Sequence, residues 1–159
     1  MTNTFEAFFH KEYPMMVALA AAVSGSRSGA EDIAQEAMTR AYRHWGKVKT
    51  YDKPGAWLRR VTINLAISAR SRAGREVKLM FRLVSLPSLV ESPPIHDDVW
   101  EAVRQLPKNQ RAVVALYYLE DMSVAEIAEI LGCAESTARV HLHRGRASLS
   151  KALEVDDER

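Results

Sequence analysis

The stretch EIAEILGCAESTARVHLHRGRASL, Glu126 to Leu149, decides how this chain is read. Two apolar-patterned segments meet at Leu131-Gly132-Cys133. Ser123 and Glu126 stand three apart, the spacing of a capping box, and predict a helix over Val124–Leu131 that stops at Gly132. A longer helix follows from about Glu135 to Leu153. Helix, glycine-containing turn and longer helix together make the helix-turn-helix pattern. The small Ala128 lets the two helices cross closely, and Leu131, Ala138 and Leu142 fill the angle between them. On a helical wheel Ala138, Leu142, Gly145 and Leu149 face inward, whereas Ser136, Arg139, Val140, His143, Arg144 and Ala147 face outward. A groove-reading helix needs hydrogen-bond donors in its N-terminal half and small residues for close approach. Arg can meet guanine through two hydrogen bonds, and Val140 suits a thymine methyl. Arg146 and Lys151 are better placed for phosphates. The plain alternative is a solvated helix of a three-helix bundle. His141 and His143, two apart, point to different sides and have no thiol or carboxylate cluster beside them, so no metal site is expected.

Working outward, charge is segregated along the chain. The net charge of +2 over 159 residues says little. Yet Glu31–Glu36 carries acids only, Arg59–Arg82 is strongly basic, Glu120–Glu135 is purely acidic and Ser136–Lys151 purely basic. Such blocks suggest separate faces for separate partners, against the bland reading of solvated helix faces. With 47% hydrophobic residues the chain can fill one ordinary core or two small ones. Cys133, the only cysteine, excludes an internal disulfide and reads as a small buried residue of the turn. Met1–Pro14 is too polar for a signal peptide, and MMVALAAAV (Met15–Val23) is too short to span a bilayer, so a soluble cytoplasmic protein is expected.

Helical periods dominate and no convincing strand alternation is present. Phe5–Val23 reads as helix, with Pro14 expected to kink it or to begin a second piece. After SGSRSG (Ser24–Gly29), Ser28 and Glu31 predict another capping box and a helix to about Trp45, with Ile33, Ala37, Met38, Ala41 and Trp45 on one face. GKVKTYDK (Gly46–Lys53) reads as a basic loop. Pro54 opens a helix to about Arg72 whose apolar stripe is Trp57, Leu58, Val61 and Leu65. Periodicity fails from Ala73 to His96, although LMFRLV within it is apolar and would be a liability if exposed. A helix around Val99, Val103 and Leu106 and another over Asn109–Leu119 then lead to the opening stretch, and EVDDER reads as a frayed tail.

Three of these segments, in order, resemble one family. AEDIAQEAMTRAYRHW (Ala30–Trp45), KPGAWLRRVTINLAISARSR (Lys53–Arg72) and LPKNQRAVVALYYLEDMSVAEIAEILGCAESTARVHLHRGRASL (Leu106–Leu149) are similar to the core-binding, minus-ten-reading and minus-thirty-five-reading segments of bacterial sigma factors of the extracytoplasmic-function (group IV) type. The resemblance implies an all-α protein of two small helical domains joined by a linker, the C-terminal one a helix-turn-helix: residues 1–75 as a region 2-like domain, 76–96 as linker, 97–154 as a region 4-like domain and 155–159 as tail. It implies that Asp32, Gln35, Glu36 and Arg40 meet the β′ clamp helices of RNA polymerase core, with the β subunit as a further contact. It places Lys47, Lys49, Tyr51 and Asp52 where an unstacked minus-ten base is captured, and Arg59, Arg60, Asn64 and Arg70 where the non-template strand is held. Ser136, Thr137, Arg139, Val140, His143, Arg144 and Arg146 fall where the minus-thirty-five duplex is read. Ala138 stands where the family has valine, Val140 where a small polar residue is common, and Ala134 offers the last helix no capping side chain.

The expected role is to choose promoters for a polymerase that does the chemistry. No catalytic constellation or phosphate loop is present, and neither an enzyme nor a cofactor is expected. Tyr51 is the most exposed aromatic candidate for stacking on a flipped base, which returns about 1–3 kcal/mol, while Trp57 belongs to the core. Promoter DNA and core polymerase are the expected partners, no membrane is, an anti-sigma factor is common in the family, and the location would be cytoplasmic, at the nucleoid through polymerase. Two rivals are a helix-turn-helix regulator that leaves Ala30–Arg72 without a task, and a helical adaptor that leaves the outward arginines of the last helix without one.

Overall fold

A computed structural model describes residues 4–80 and 97–157, with side chains over 4–73 and 98–154. The expected linker core at 81–96, including most of LMFRLV, lies outside the described residues. Every regular element among the described residues is a helix: α1 (Phe5–Ser24), α2 (Ala30–Arg43), α3 (Trp45–Val48), α4 (Pro54–Met80), α5 (Asp97–Arg104), α6 (Lys108–Glu120), α7 (Val124–Leu131) and α8 (Glu135–Asp157).

The first lobe is α1 to α4. Thr4 caps α1 by accepting from the Ala7 N–H at 3.2 Å, and Gly25, at φ 72°, closes it. A left-handed residue there costs glycine nothing. Pro14 does not begin a second piece, one of the two outcomes expected of it: α1 runs through it. Pro14 is exposed, where a carbonyl left without its helical partner can be hydrated, while the opposite face, Met16, Leu19, Ala20 and Val23, is packed. The capping box expected at Ser28 and Glu31 does not form. Gly29 occupies the cap position of α2 without a side-chain bond, and the Ser28 hydroxyl meets that of Ser26 at 3.1 Å instead. Glu31 and Asp32 still complement the dipole in the first turn. The presumed basic loop begins with a helical turn, α3, and Val48 in it is fully buried. Helix α4 runs to Met80, past the expected end near Arg72 and past the expected linker start.

The second lobe is α5 to α8. The capping box of α7 forms as read: Ser123 Oγ accepts from Glu126 N–H at 3.2 Å, and Glu126 Oε2 accepts from Ser123 N–H at 2.9 Å. Gly132 ends α7 at φ 68°. Helix α8 extends to Asp157, so most of the presumed frayed tail is helical.

The lobes are not separate. Helix α1 packs on α2 and α4 and also on α5 and α6, and α4 touches α7. Met16, Leu19, Leu58, Leu116 and Ile127, all fully buried, belong to one continuous apolar core that crosses from lobe to lobe. Each such side chain contributes about 1.5–3 kcal/mol on burial.

Candidate promoter and polymerase interfaces

The outward face of α8, the candidate reader face, is built by its period. Ala138, Leu142 and Gly145 are buried against α6 and α7, which leaves Ser136, Thr137, Arg139, Val140, His143, Arg144 and Arg146 exposed. Val140 is 45% exposed, so its methyls are open to a contact from outside. Arg139, His143 and Arg146 rim one shallow concavity with Leu142, Ala147 and Ser150. Arg139 also pairs with Glu135 at 2.9 Å, both well solvated, so that pair is a weak hold that a phosphate or base can displace.

On α2, Asp32, Gln35, Glu36 and Arg40 are all exposed, with Ile33, Ala34, Ala37, Met38 and Ala41 buried beneath them. Arg40 Nε donates to Glu36 at 3.2 Å one turn away. Asp32 and Glu36 also border a groove between α2 and α4 shared with Arg70 and Arg72.

The minus-ten set divides. Lys47, Lys49 and Asp52 are exposed on α3 and the turn after it, and Arg60 and Asn64 are exposed on α4. Tyr51 is half-buried, its ring 6.3 Å from that of Trp57. It is not the most exposed aromatic: Tyr42 is 67% and Tyr118 56% exposed. Arg59 turns away from solvent toward the second lobe, and Arg70, half-buried, also reaches toward it. Arg59, with a side chain 12% exposed, donates to Glu12 at 2.9 Å, to Glu120 at 2.8 Å and to the Gly55 carbonyl at 2.8 Å. Burial opposes its charge, but the bonds and charges of Glu120 and then Glu12 outweigh that and raise its pKa. Arg70 donates to the Arg104 carbonyl. Burial, then the Arg104 charge, push its pKa down.

Other contacts on this seam join partners that the sequence did not pair. Arg111, 3% exposed, donates to the carbonyls of Val23 and Leu106, and burial followed by the Arg70 charge lowers its pKa to about 10. Lys53 meets Glu129 at 3.0 Å, and that bond and charge raise its pKa. The guanidinium of Arg27 lies 4.5 Å over the Trp100 ring. A local signal existed for three of these residues. Glu12 falls on the stripe of Phe9, Met16 and Leu19, Arg111 on that of Val114 and Ala115, and Glu120 on that of Val113 and Leu116. A charge at a core position announces a buried partner without naming it.

Among the described residues no three His, Cys, Asp or Glu side chains gather for a metal ion, and no helix is long and apolar enough to cross a membrane. Cys133 is a half-buried free thiol.

Comparison with known proteins agrees with this geometry. Residues 8–76 match the Sigma-70 region 2 family, and residues 96–149 match Sigma-70, region 4. The chain is 31% identical to the ECF RNA polymerase sigma factor SigW of Bacillus subtilis over 145 residues, 81% of this chain and 78% of that protein. It is 34% identical over 152 residues to the ECF RNA polymerase sigma factor SigE of Mycolicibacterium smegmatis, covering 85% of this chain and 56% of that one. The solved structure of the sigma factor RpoE of Bartonella quintana, in complex with the anti-sigma factor NepR, superposes with a TM-score of 0.77 at 26% identity, over 96% of this chain and 98% of that one. CnrH, solved with the cytosolic domain of CnrY, shares the fold at a TM-score of 0.67 and 20% identity, over 96% of this chain and 88% of that one. The chain therefore belongs to the ECF sigma factors, which bind core RNA polymerase and direct promoter-specific transcription initiation.

Proposed function

We propose a division of labour between the two lobes. The lobe of residues 1–75 grips polymerase through Asp32, Gln35, Glu36 and Arg40 and a melted strand through Lys47, Lys49, Tyr51, Asp52, Arg59, Arg60, Asn64 and Arg70. The lobe of residues 97–154 reads duplex through Ser136, Thr137, Arg139, Val140, His143, Arg144 and Arg146. The observation that carries this reading is the α8 face: donors and one aliphatic side chain are exposed together over a buried Ala138-Leu142-Gly145 seam. That supplies hydrogen bonds for base edges and an apolar contact for a thymine methyl on one helix surface. The other lobe contributes no general acid, base or nucleophile to this scheme. Its cations hold backbone charge, so its grip should weaken steeply with salt. The chain would act in the cytoplasm, where polymerase and promoter are.

Exposed Tyr118 and Leu119 border an apolar groove with Val99, Trp100, Val103 and Leu153, which Arg146 of the reader face also lines. A patch of this kind favours a protein partner, and an anti-sigma factor is the class it would suit.

The test is reconstitution. Added to sigma-free core polymerase, the chain should give promoter-dependent transcripts, and Glu36→Lys should reduce co-purification with core while leaving duplex binding intact. Glu36→Lys co-purifying as well as wild type would remove α2 from the polymerase contact.

A further inference from the structure

The acidic run Glu120–Glu135 has no task in promoter reading, yet two of its carboxylates hold cations of the first lobe. Glu120 binds Arg59 and Glu129 binds Lys53. Between them the α7–α8 turn lies against Arg60: a Cβ on Gly132 would come within 3.3–3.5 Å of that guanidinium. Lys53 immediately precedes α4, and Arg59 and Arg60 lie in its first two turns, in the segment where a non-template strand would be held. The second lobe thus sets carboxylates against cations whose proposed ligand is a row of phosphates.

We propose that the Glu120–Glu129 edge of the second lobe is an internal stand-in for the promoter strand, closing the free protein over its own strand-holding helix until single-stranded DNA displaces it. This rests on reading α4 as the strand-holding element. The geometry explains why Arg59 is buried in a protein whose DNA contacts should be exposed: its place is taken. It also explains the segregation of charge. An acidic block followed immediately by a basic one lets a single lobe present Glu120 and Glu129 to the cations at the start of α4 and the arginines of α8 to solvent. Closure and strand binding then compete for the same cations. The affinity of the free chain for a strand is reduced by the fraction of molecules that are open.

The experiment compares two full-length variants carrying the same change in net charge. Glu120→Gln/Glu129→Gln removes the stand-in. Asp121→Asn/Glu154→Gln removes two exposed carboxylates that pair with no first-lobe cation among the described residues. Anisotropy of a labelled, short single-stranded oligonucleotide should show the first variant binding about tenfold tighter than the second. Small-angle scattering should give it the larger radius of gyration. Equal affinities overturn the proposal, and so does an expanded variant with no gain in strand binding, because the carboxylates would then join the lobes without covering the strand site. Should Glu120→Gln cost helicity by circular dichroism, wild type supplies the second measurement. Saturating oligonucleotide should expand it, and a complex as compact as the free chain overturns the proposal. Failure to direct core polymerase would sink the functional reading separately, since that assay does not depend on the closed state.

Discussion

Gly145→Ala separates two effects that usually act together. In an exposed helix the change would stabilise by about 1 kcal/mol, because glycine loses more backbone entropy than alanine. Gly145 is not exposed. A Cβ there would lie 2.7 Å from Val114 Cγ2, with Gln110 Cβ at 3.6 Å and the Gln110 carbonyl oxygen at 3.7 Å behind it. Val114 is 3% exposed and belongs to the run Arg111–Leu116, buried throughout. A β-branched side chain has few rotamers into which to retreat. The methyl must therefore push α8 off α6, and overpacking of this kind costs about 1–3 kcal/mol. The clash outweighs the propensity, and the net expectation is a loss of about 1 kcal/mol, or roughly 2–4 °C in Tm for a chain of this size. Urea and thermal unfolding measure it. Gly46→Ala, where a Cβ meets nothing within 4 Å, is the control and should be neutral or stabilising. In Gly145→Ala/Val114→Ala the space is returned, so the double variant should lose at least about 0.5 kcal/mol less than the sum of the singles. A Gly145→Ala protein that melts above wild type would show that α8 is not held against α6 at this distance.

Three further outcomes follow from the same contacts. Arg59→Met strips the cation from between Glu12 and Glu120, whose side chains are 9% and 6% exposed, and should cost about 3–5 kcal/mol in urea unfolding; Arg59→Met/Glu120→Leu should recover part of it. Arg144→Ala should weaken duplex binding and relax sequence preference by about 1–3 kcal/mol in a gel-shift series over variant promoters, and unchanged affinity across the series would remove it from base reading. Gly132→Ala places a Cβ at φ 68° and should lower stability by roughly 1–2 kcal/mol in thermal unfolding, so a neutral result would mean that the turn relaxes out of the left-handed region.

What could be read in advance was what short-range chemistry decides. The α7 box, its Gly132 stop and the two faces of α8 all follow from residues a few positions apart, and they form as the pattern states. The buried face of α2 follows from the same period. The failures are places where a competing local bond or a distant partner wins. Ser28 had the spacing of a cap but found Ser26. Pro14 had the chemistry of a helix breaker but sits on the wet side of a helix whose other side is packed. Tyr51 was read as exposed because its loop is polar, yet Trp57 lies beside it. Arg59 is the instructive case. Its type and position suit a phosphate, and nothing nearby in the sequence reveals carboxylates 47 and 61 positions away. Pattern identifies a cation that needs an anion; only the fold says which anion it has.

The kind of bond at the seam bears on whether the lobes can part. Arg59 takes one carboxylate from each lobe, and Arg111, in the second lobe, takes one carbonyl from each. On separation each keeps a partner in its own lobe or regains one, Arg59 on Glu12 and Arg111 on Leu106, and water completes the rest. The net loss per hydrogen bond is then about 1.5–3 kcal/mol for charged groups, far below its strength in an apolar medium. Arg111 carries a bias in the same direction. Burial lowers its pKa from that of a free guanidinium to about 10, so below about pH 10 its desolvated charge opposes closure and is relieved by opening. The apolar part of the seam, where α1 meets α6, favours closure instead. On the proposed assignment, a core polymerase gripping α2, with promoter phosphates drawing on α4, would have to overcome that apolar part and would receive from the polar part cations already placed for a strand.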